Sequence, residues 1–110
     1  MEGLVKGDVV VVPFPFTDLS AAKRRPALVI AVLPGDDVIL CQITSQTVRD
    51  AFAISLRETD FASGSLKKAS NIRPNRLFTA NRALIVTAVG RINHTALRSV
   101  IEAIVRIVEA

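Results

Sequence analysis

The chain has 110 residues, half of them apolar, with a formal net charge of +4 and a pI of about 10. That length fits a single domain over 1–110 and excludes a second independent core. It also excludes a membrane span: the longest apolar run, residues 27–33, falls far short of the ~18 residues a spanning helix needs. No stretch reads as a secretory leader. One cysteine, Cys41, excludes an intramolecular disulfide, and a reducing cytoplasm fits. The basic balance favours an acidic partner, of which nucleic acid is the commonest.

Taken in order, Gly7-Asp8 turns into a strand at Val9–Val12, β-branched throughout. Pro13 and Pro15, with Phe14 and Phe16, end it in an extended segment, as an edge or a strand exit. Residues 17–24 form a polar loop. A second strand covers Pro26–Leu33, Pro34-Gly35-Asp36-Asp37 is a turn, and Val38–Thr44 completes a hairpin. Ser45-Gln46-Thr47 interrupts the apolar pattern. Residues 51–56 alternate, with Phe52, Ile54 and Leu56 on one face. Residues 57–65 read as a connection and 66–77 as an extended segment ending near Pro74. Residues 84–92 carry the last strand. Residues 93–109 are a helix capped by Asn93 or Thr95. Its apolar stripe is Leu97, Val100, Ile101, Ile104, Val105 and Val108, and Arg98, Glu102 and Arg106 are spaced to pair on the other side. About six short strands and one terminal helix predict a mostly β fold, a bent sheet or small barrel with a C-terminal α-helix plugging or flanking it.

The chemistry concentrates at Lys23-Arg24-Arg25-Pro26. Pro26 fits the first position of a strand and biases Arg25 toward an extended backbone, so Arg25 is held at a strand mouth. A guanidinium placed there can grip a phosphate with two parallel N–H bonds; a solvated loop end is the plain alternative. Arg25 and Thr44 both lie at the hairpin end away from the turn, and become close neighbours if they pair across the ladder. Ser45 and Gln46 are candidates for contacts to unpaired bases, or simply strand-end polarity. Arg73 and Arg76 can extend a basic groove or serve solubility. Phe14 and Phe16 suit stacking, a core or an interface. Cys41, inside an apolar alternation, reads as a buried inert thiol. His94 reads as an exposed residue at the helix start. One Cys and one His supply no zinc site, and no Gly-rich phosphate loop is present, so no metal or cofactor is expected.

Several stretches together resemble the MazF/PemK toxins of type II toxin–antitoxin systems. They are Gly7-Asp8-Val9-Val10, Pro13-Phe14-Pro15-Phe16-Thr17-Asp18, Lys23-Arg24-Arg25-Pro26-Ala27-Leu28-Val29-Ile30 and Cys41-Gln42-Ile43-Thr44-Ser45-Gln46. Gly64-Ser65-Leu66, Asn71-Ile72-Arg73-Pro74 and Val89-Gly90-Arg91-Ile92 match more loosely. The resemblance implies an SH3-like small barrel of the MazF/PemK/CcdB type, a cytoplasmic homodimer and a growth-inhibiting endoribonuclease. Such an enzyme cuts single-stranded RNA, needs no metal and leaves 2′,3′-cyclic phosphate and 5′-hydroxyl ends. A cognate antitoxin occupies the RNA groove, and DNA binding belongs to the toxin–antitoxin complex. By motif position, Arg25 and Thr44 match the family's catalytic arginine and threonine, with Lys23 and Arg24 as adjacent RNA contacts. Many members carry a glutamate in the loop before the arginine; here Ser20-Ala21-Ala22-Lys23 has none and the loop is short, leaving Asp18 as the nearby carboxylate. An arginine stays protonated at neutral pH and is a poor general base. The alternatives are a non-catalytic toxin on the same fold, like the gyrase poison CcdB, which grips its partner through the helix end, or an inactive RNA-binding member.

Overall fold

The computed structural model describes residues 3–14, 23–47 and 49–110. Seven strands and one helix account for most of them: β1 (Asp8–Phe14), β2 (Lys23–Val32), β3 (Asp37–Thr44), β4 (Ile54–Leu56), β5 (Phe61–Gly64), β6 (Ser70–Asn81), β7 (Thr87–Ile92) and α1 (His94–Glu109). All pairings are antiparallel, in the order β4-β6-β3-β2-β1-β7-β5. Strands β4 and β5 are the two edges, yet only the short turn Arg57–Asp60 joins them. Laid flat, seven strands would hold their edges about 29 Å apart. The chain from Leu56 to Phe61 reaches at most ~18 Å. The sheet is therefore strongly curled into a half-barrel. Leu56 and Phe61, one from each edge, pack in the same apolar cluster.

Strand alternation divides the core between the two faces of the sheet. Val9, Leu28, Cys41, Ile43, Ile72 and Ile92 form one cluster, closed by Leu97 and Val100 of α1. Val10, Val12, Ala27, Val29, Val38 and Leu40 form the other, covered by Leu4 and Ile85. The sequence marks Val9 and Val10 alike; the structure sends them to opposite faces, and both are fully buried.

Several boundaries differ from expectation for identifiable reasons. The second strand begins at Lys23, not Pro26, because Arg24 and Lys23 pair with Pro13 and Phe14. Pro13 is thus inside β1, but β7 pairs β1 only as far as Val11, so the proline sits where β2 is the sole partner. The expected strand at 51–56 shrinks to Ile54–Leu56. Phe52 is half-exposed in a turn, where its N–H donates to Asp50 Oδ1 at 2.7 Å. The expected connection over 57–65 contains β5, paired with β7. The extended segment does not end at Pro74: β6 runs from Ser70 to Asn81. Pro74 is accommodated in a large bulge, where two steps along β3 correspond to five along β6.

Asn93 caps α1, its side chain accepting the Ala96 N–H at 2.8 Å. The predicted stripe is only partly used. Leu97 and Val100 are buried and Ile101 and Ile104 half-buried, while Val105 and Val108 are exposed, Val108 at 73%. Arg98 pairs with Glu102 at 3.5 Å. No helix of the described residues is long and apolar enough to cross a membrane.

Gly7-Asp8 has a structural role. The Gly7 N–H donates to Val29 O (2.8 Å) and its carbonyl accepts from Ile92 N (3.0 Å), bridging β2 and β7. Buried Asp8 accepts from Arg91 Nε at 2.7 Å and from Val5 N at 3.0 Å. Replacing Asp8 by Ala strands the Val5 N–H and releases Arg91, whose half-exposed side chain regains water. The expected loss is about 1–3 kcal/mol, read from chemical denaturation with an unchanged m value.

Candidate functional site

The β2–β3 ladder has its last rung at Ala27 opposite Gln42. Beyond it, β2 remains paired only with β1 and β3 only with β6. The pairing of Arg25 with Thr44 that would make them close neighbours is therefore not made; the register, shifted by one at a bulge between Val29 and Ala31, brings them level only when it is continued two positions past its last rung. By alternation both belong to the face of Ala27, Val29 and Leu40, whereas Arg24, Ile43 and Ser45 belong to the face of Leu28 and Cys41.

Arg25 is half-buried on β2 opposite Val12, and its side chain makes no ion pair or hydrogen bond among the described residues. It lies within the strand rather than at its mouth, since pairing with β1 continues three residues before Pro26. Thr44 is buried, 8% exposed, at the end of β3. Its Oγ1 accepts the Gln46 N–H at 3.1 Å, which fixes the oxygen and leaves the hydroxyl proton free to donate. That contact also folds Ser45 and Gln46, both exposed, into a tight turn at the strand end. The Asn71 amide donates to Gln46 O at 3.4 Å.

A cleft of about 280 Å³ opens at these strand ends. Arg24, Arg25 and Ser45 line it, together with Leu66, Lys67, Lys68 and Ser70 from the approach to β6. Lys23 is exposed on β2 just before it. The sequence gives little warning of Lys67 and Lys68: the pair sits in a segment with neither helical nor alternating spacing, and only the fold brings it beside Arg24.

Arg73 and Arg76 do not line the cleft. Arg73 is taken up by Asp50, donating to Oδ2 through Nε at 3.3 Å and a terminal nitrogen at 3.0 Å. Burial alone would raise the Asp50 carboxyl. The Arg73 guanidinium, the Phe52 N–H and the Asn75 amide outweigh it and hold the carboxyl below its ordinary range. That pair is fully formed above the ordinary carboxylate range and is lost only as pH falls through the lowered value. Arg76 is exposed within the β6 bulge.

Burial pushes the Cys41 thiol up to about 12, and its Sγ donates to Arg73 O at 3.0 Å, so it is the inert thiol expected. His94 is exposed at the first helical position. Among the described residues no group of three His, Cys, Asp or Glu side chains is placed to hold a metal ion. Phe16, Asp18 and most of the loop before Lys23 lie outside the described residues, as does the side chain of Phe14.

Known proteins agree with this architecture. An endoribonuclease in complex with its cognate antitoxin, from a mycobacterial species, superposes with a TM-score of 0.77 at 10% identity, over 97% of this chain and 96% of that one. The Mycobacterium tuberculosis toxin MazF-mt6 gives 0.72 at 16% identity, over 93% and 96%. MazE-MazF from Deinococcus radiodurans gives 0.72 at 15%, over 96% and 94%. At such identities the likeness establishes the fold alone. No curated protein matches the sequence. The family described as PemK-like, MazF-like toxin of type II toxin-antitoxin system matches residues 5–108. With the curled seven-stranded sheet and its terminal helix, that match over nearly the whole chain makes this protein a member of the MazF/PemK toxin family.

Proposed function

We propose that this toxin is an endoribonuclease that cuts single-stranded RNA without a metal ion, with Arg25 and Thr44 at the reacting phosphate. One observation carries the reading. A half-buried arginine with no partner among the described residues and an oxygen-anchored threonine lie on adjacent strands just past the end of their shared ladder, beside a cleft whose described lining holds cations and no carboxylate.

In the proposed reaction the 2′-oxygen attacks the adjacent phosphorus and the bond to the 5′-oxygen breaks, giving a 2′,3′-cyclic phosphate and a 5′-hydroxyl. Negative charge grows on the phosphoryl oxygens, where the planar donors of Arg25 meet it. The Thr44 hydroxyl donates to the same group from a fixed position. The 2′-hydroxyl proton passes to solvent, and a proton from solvent completes the leaving 5′-hydroxyl. A cognate antitoxin covers the cleft, and a homodimer takes the exposed Leu84 and Val86 out of water. The test is a long single-stranded RNA incubated with the wild-type protein in EDTA. Fragments with 5′-hydroxyl ends are expected; intact RNA with folded protein overturns the reading.

Exposed Val105 and Val108 near the end of α1 favour a second reading, a non-catalytic toxin that grips a protein through its helix end. It predicts that Val108→Lys abolishes growth inhibition while RNA stays intact with either protein.

A further inference from the structure

We propose that Lys67 and Lys68, with Arg24, form a second phosphate subsite, which takes the RNA backbone phosphate next to the one being cut. The inference rests on the ribonuclease reading and adds residues to it that sit on a different segment of the chain.

The first observation is the charge balance. Arg57, Arg73, Arg91 and Arg98 each have a carboxylate partner within 4 Å. Arg24, Arg25, Lys67 and Lys68 have none among the described residues, as is true also of Lys6, Lys23, Arg49, Arg76, Arg82 and Arg106, but these four line one cleft. Like charges gathered in a concave site repel one another, and the low-dielectric walls strengthen their field. Such a cluster is satisfied by an anion brought from outside. About 280 Å³ is the space of roughly nine water molecules at ~30 Å³ each, enough for a phosphate and part of its sugar.

The second observation is that the lysine segment is held in place. Leu66 packs half-buried against the cluster that contains Ile43. Buried Ser70 donates its hydroxyl to Lys68 O at 3.0 Å, and its backbone pairs with Leu56 at the start of β6. The two lysines are thus carried between two anchored residues.

The third is continuity. Arg25 lines this cleft and, by the continued register, is level with Thr44. A strand of RNA with one phosphate at Arg25 and Thr44 delivers its neighbour around the ends of β2 and β3 to Arg24 and the lysines. Lysine acts on phosphate as a point charge and reads no base. The subsite therefore sets affinity and its salt dependence, not the sequence that is cut.

The experiment measures fluorescence anisotropy of labelled all-2′-O-methyl RNA oligonucleotides, which bind but cannot be cut, across a salt series. Wild type, Lys67→Gln/Lys68→Gln and, as a control on another surface, Lys6→Gln are compared after their thermal melts confirm folding. For single strands each phosphate contact contributes about 0.7 to the slope of log affinity against log salt. The double variant is expected to lose about 0.7 of that slope, one phosphate contact, and to bind about tenfold more weakly, equally for every oligonucleotide sequence, while Lys6→Gln matches wild type. With cleavable RNA, its KM rises about tenfold and kcat changes less than twofold. An unchanged slope and affinity in the double variant, with wild type binding normally, overturns the subsite and leaves the ribonuclease reading standing. Wild type that neither binds nor cuts RNA overturns both. A double variant that keeps RNA affinity but no longer binds a polyglutamate peptide overturns the RNA assignment and gives the cleft to an acidic protein segment.

Discussion

Replacing Arg25 by alanine is expected to lower the single-turnover rate of RNA cleavage by about 10³-fold, equivalent to about 4 kcal/mol of transition-state stabilisation. The effect is large because charge develops on the phosphoryl oxygens only as the 2′-oxygen attacks, so a donor fork fixed in advance acts mainly on the transition state. It is also separable from stability. Arg25 is half-buried but has no partner among the described residues, so its removal orphans no carboxylate among them. A melt within a few degrees of wild type, with cleavage lost, is the expected pair of results. Arg25→Lys keeps the charge and loses the fork; it should bind RNA nearly as well as wild type and still cut at least tenfold more slowly. An alanine variant that cuts at the wild-type rate would remove Arg25 from the reaction.

Thr44 bears on the same step with a smaller margin. Its oxygen already accepts the Gln46 N–H, so Thr44→Val removes the donor and also frees the turn that holds Ser45 and Gln46. Any loss of cleavage in that variant mixes two effects, which is why the arginine pair is the cleaner experiment.

The hairpin from β2 to β3 was legible because everything that defines it is local: an apolar run, a Pro-Gly-Asp-Asp turn and a second apolar run. The turn carries its register only as far as Ala31 opposite Ile39, and continued from there it would set Arg25 opposite Ser45; a bulge between Val29 and Ala31, which nothing in the sequence marks, shifts it by one so that its continuation brings Arg25 level with Thr44. The helix, like the hairpin, was legible from local features, its period and the Asn93 cap. Strand β5 was not. Phe61-Ala62-Ser63-Gly64 has little strand propensity, and it pairs with β7, whose residues come almost thirty positions later. Nor was the bulge around Pro74, because only the partner strand β3 shows how many residues must be absorbed. Lys67 and Lys68 were invisible as a site for the same reason. Their neighbours Arg24 and Arg25 are more than forty residues away in sequence, and curling of the sheet brings them together. What the sequence hid was set by distant pairing.

The second large effect is expected in the fold, at Gly64. Its φ of +67° lies in the left-handed region that side chains disfavour. A Cβ built there falls on the Val89 carbonyl oxygen and within 2.5 Å of Gly90 Cα. Gly64 faces Gly90 across β5 and β7, so two glycine backbones approach where no side chain fits. Gly64→Ala therefore has no rotamer to choose, and relief comes only from opening the β5–β7 pairing. Opening it loosens Phe61 from the core cluster and removes the strand that forms one edge of the curled sheet. The expected destabilisation is about 2–4 kcal/mol. Gly3→Ala is the matched control: its φ is +76°, but no atom lies within 4 Å of the added Cβ. It should lose only the ~1 kcal/mol of the backbone preference. Denaturation of the two variants side by side isolates the steric part. Equal losses would mean that the close approach of β5 and β7 contributes nothing, whereas a Gly64 deficit at least twice that of Gly3 ties the closure of the half-barrel to this one contact.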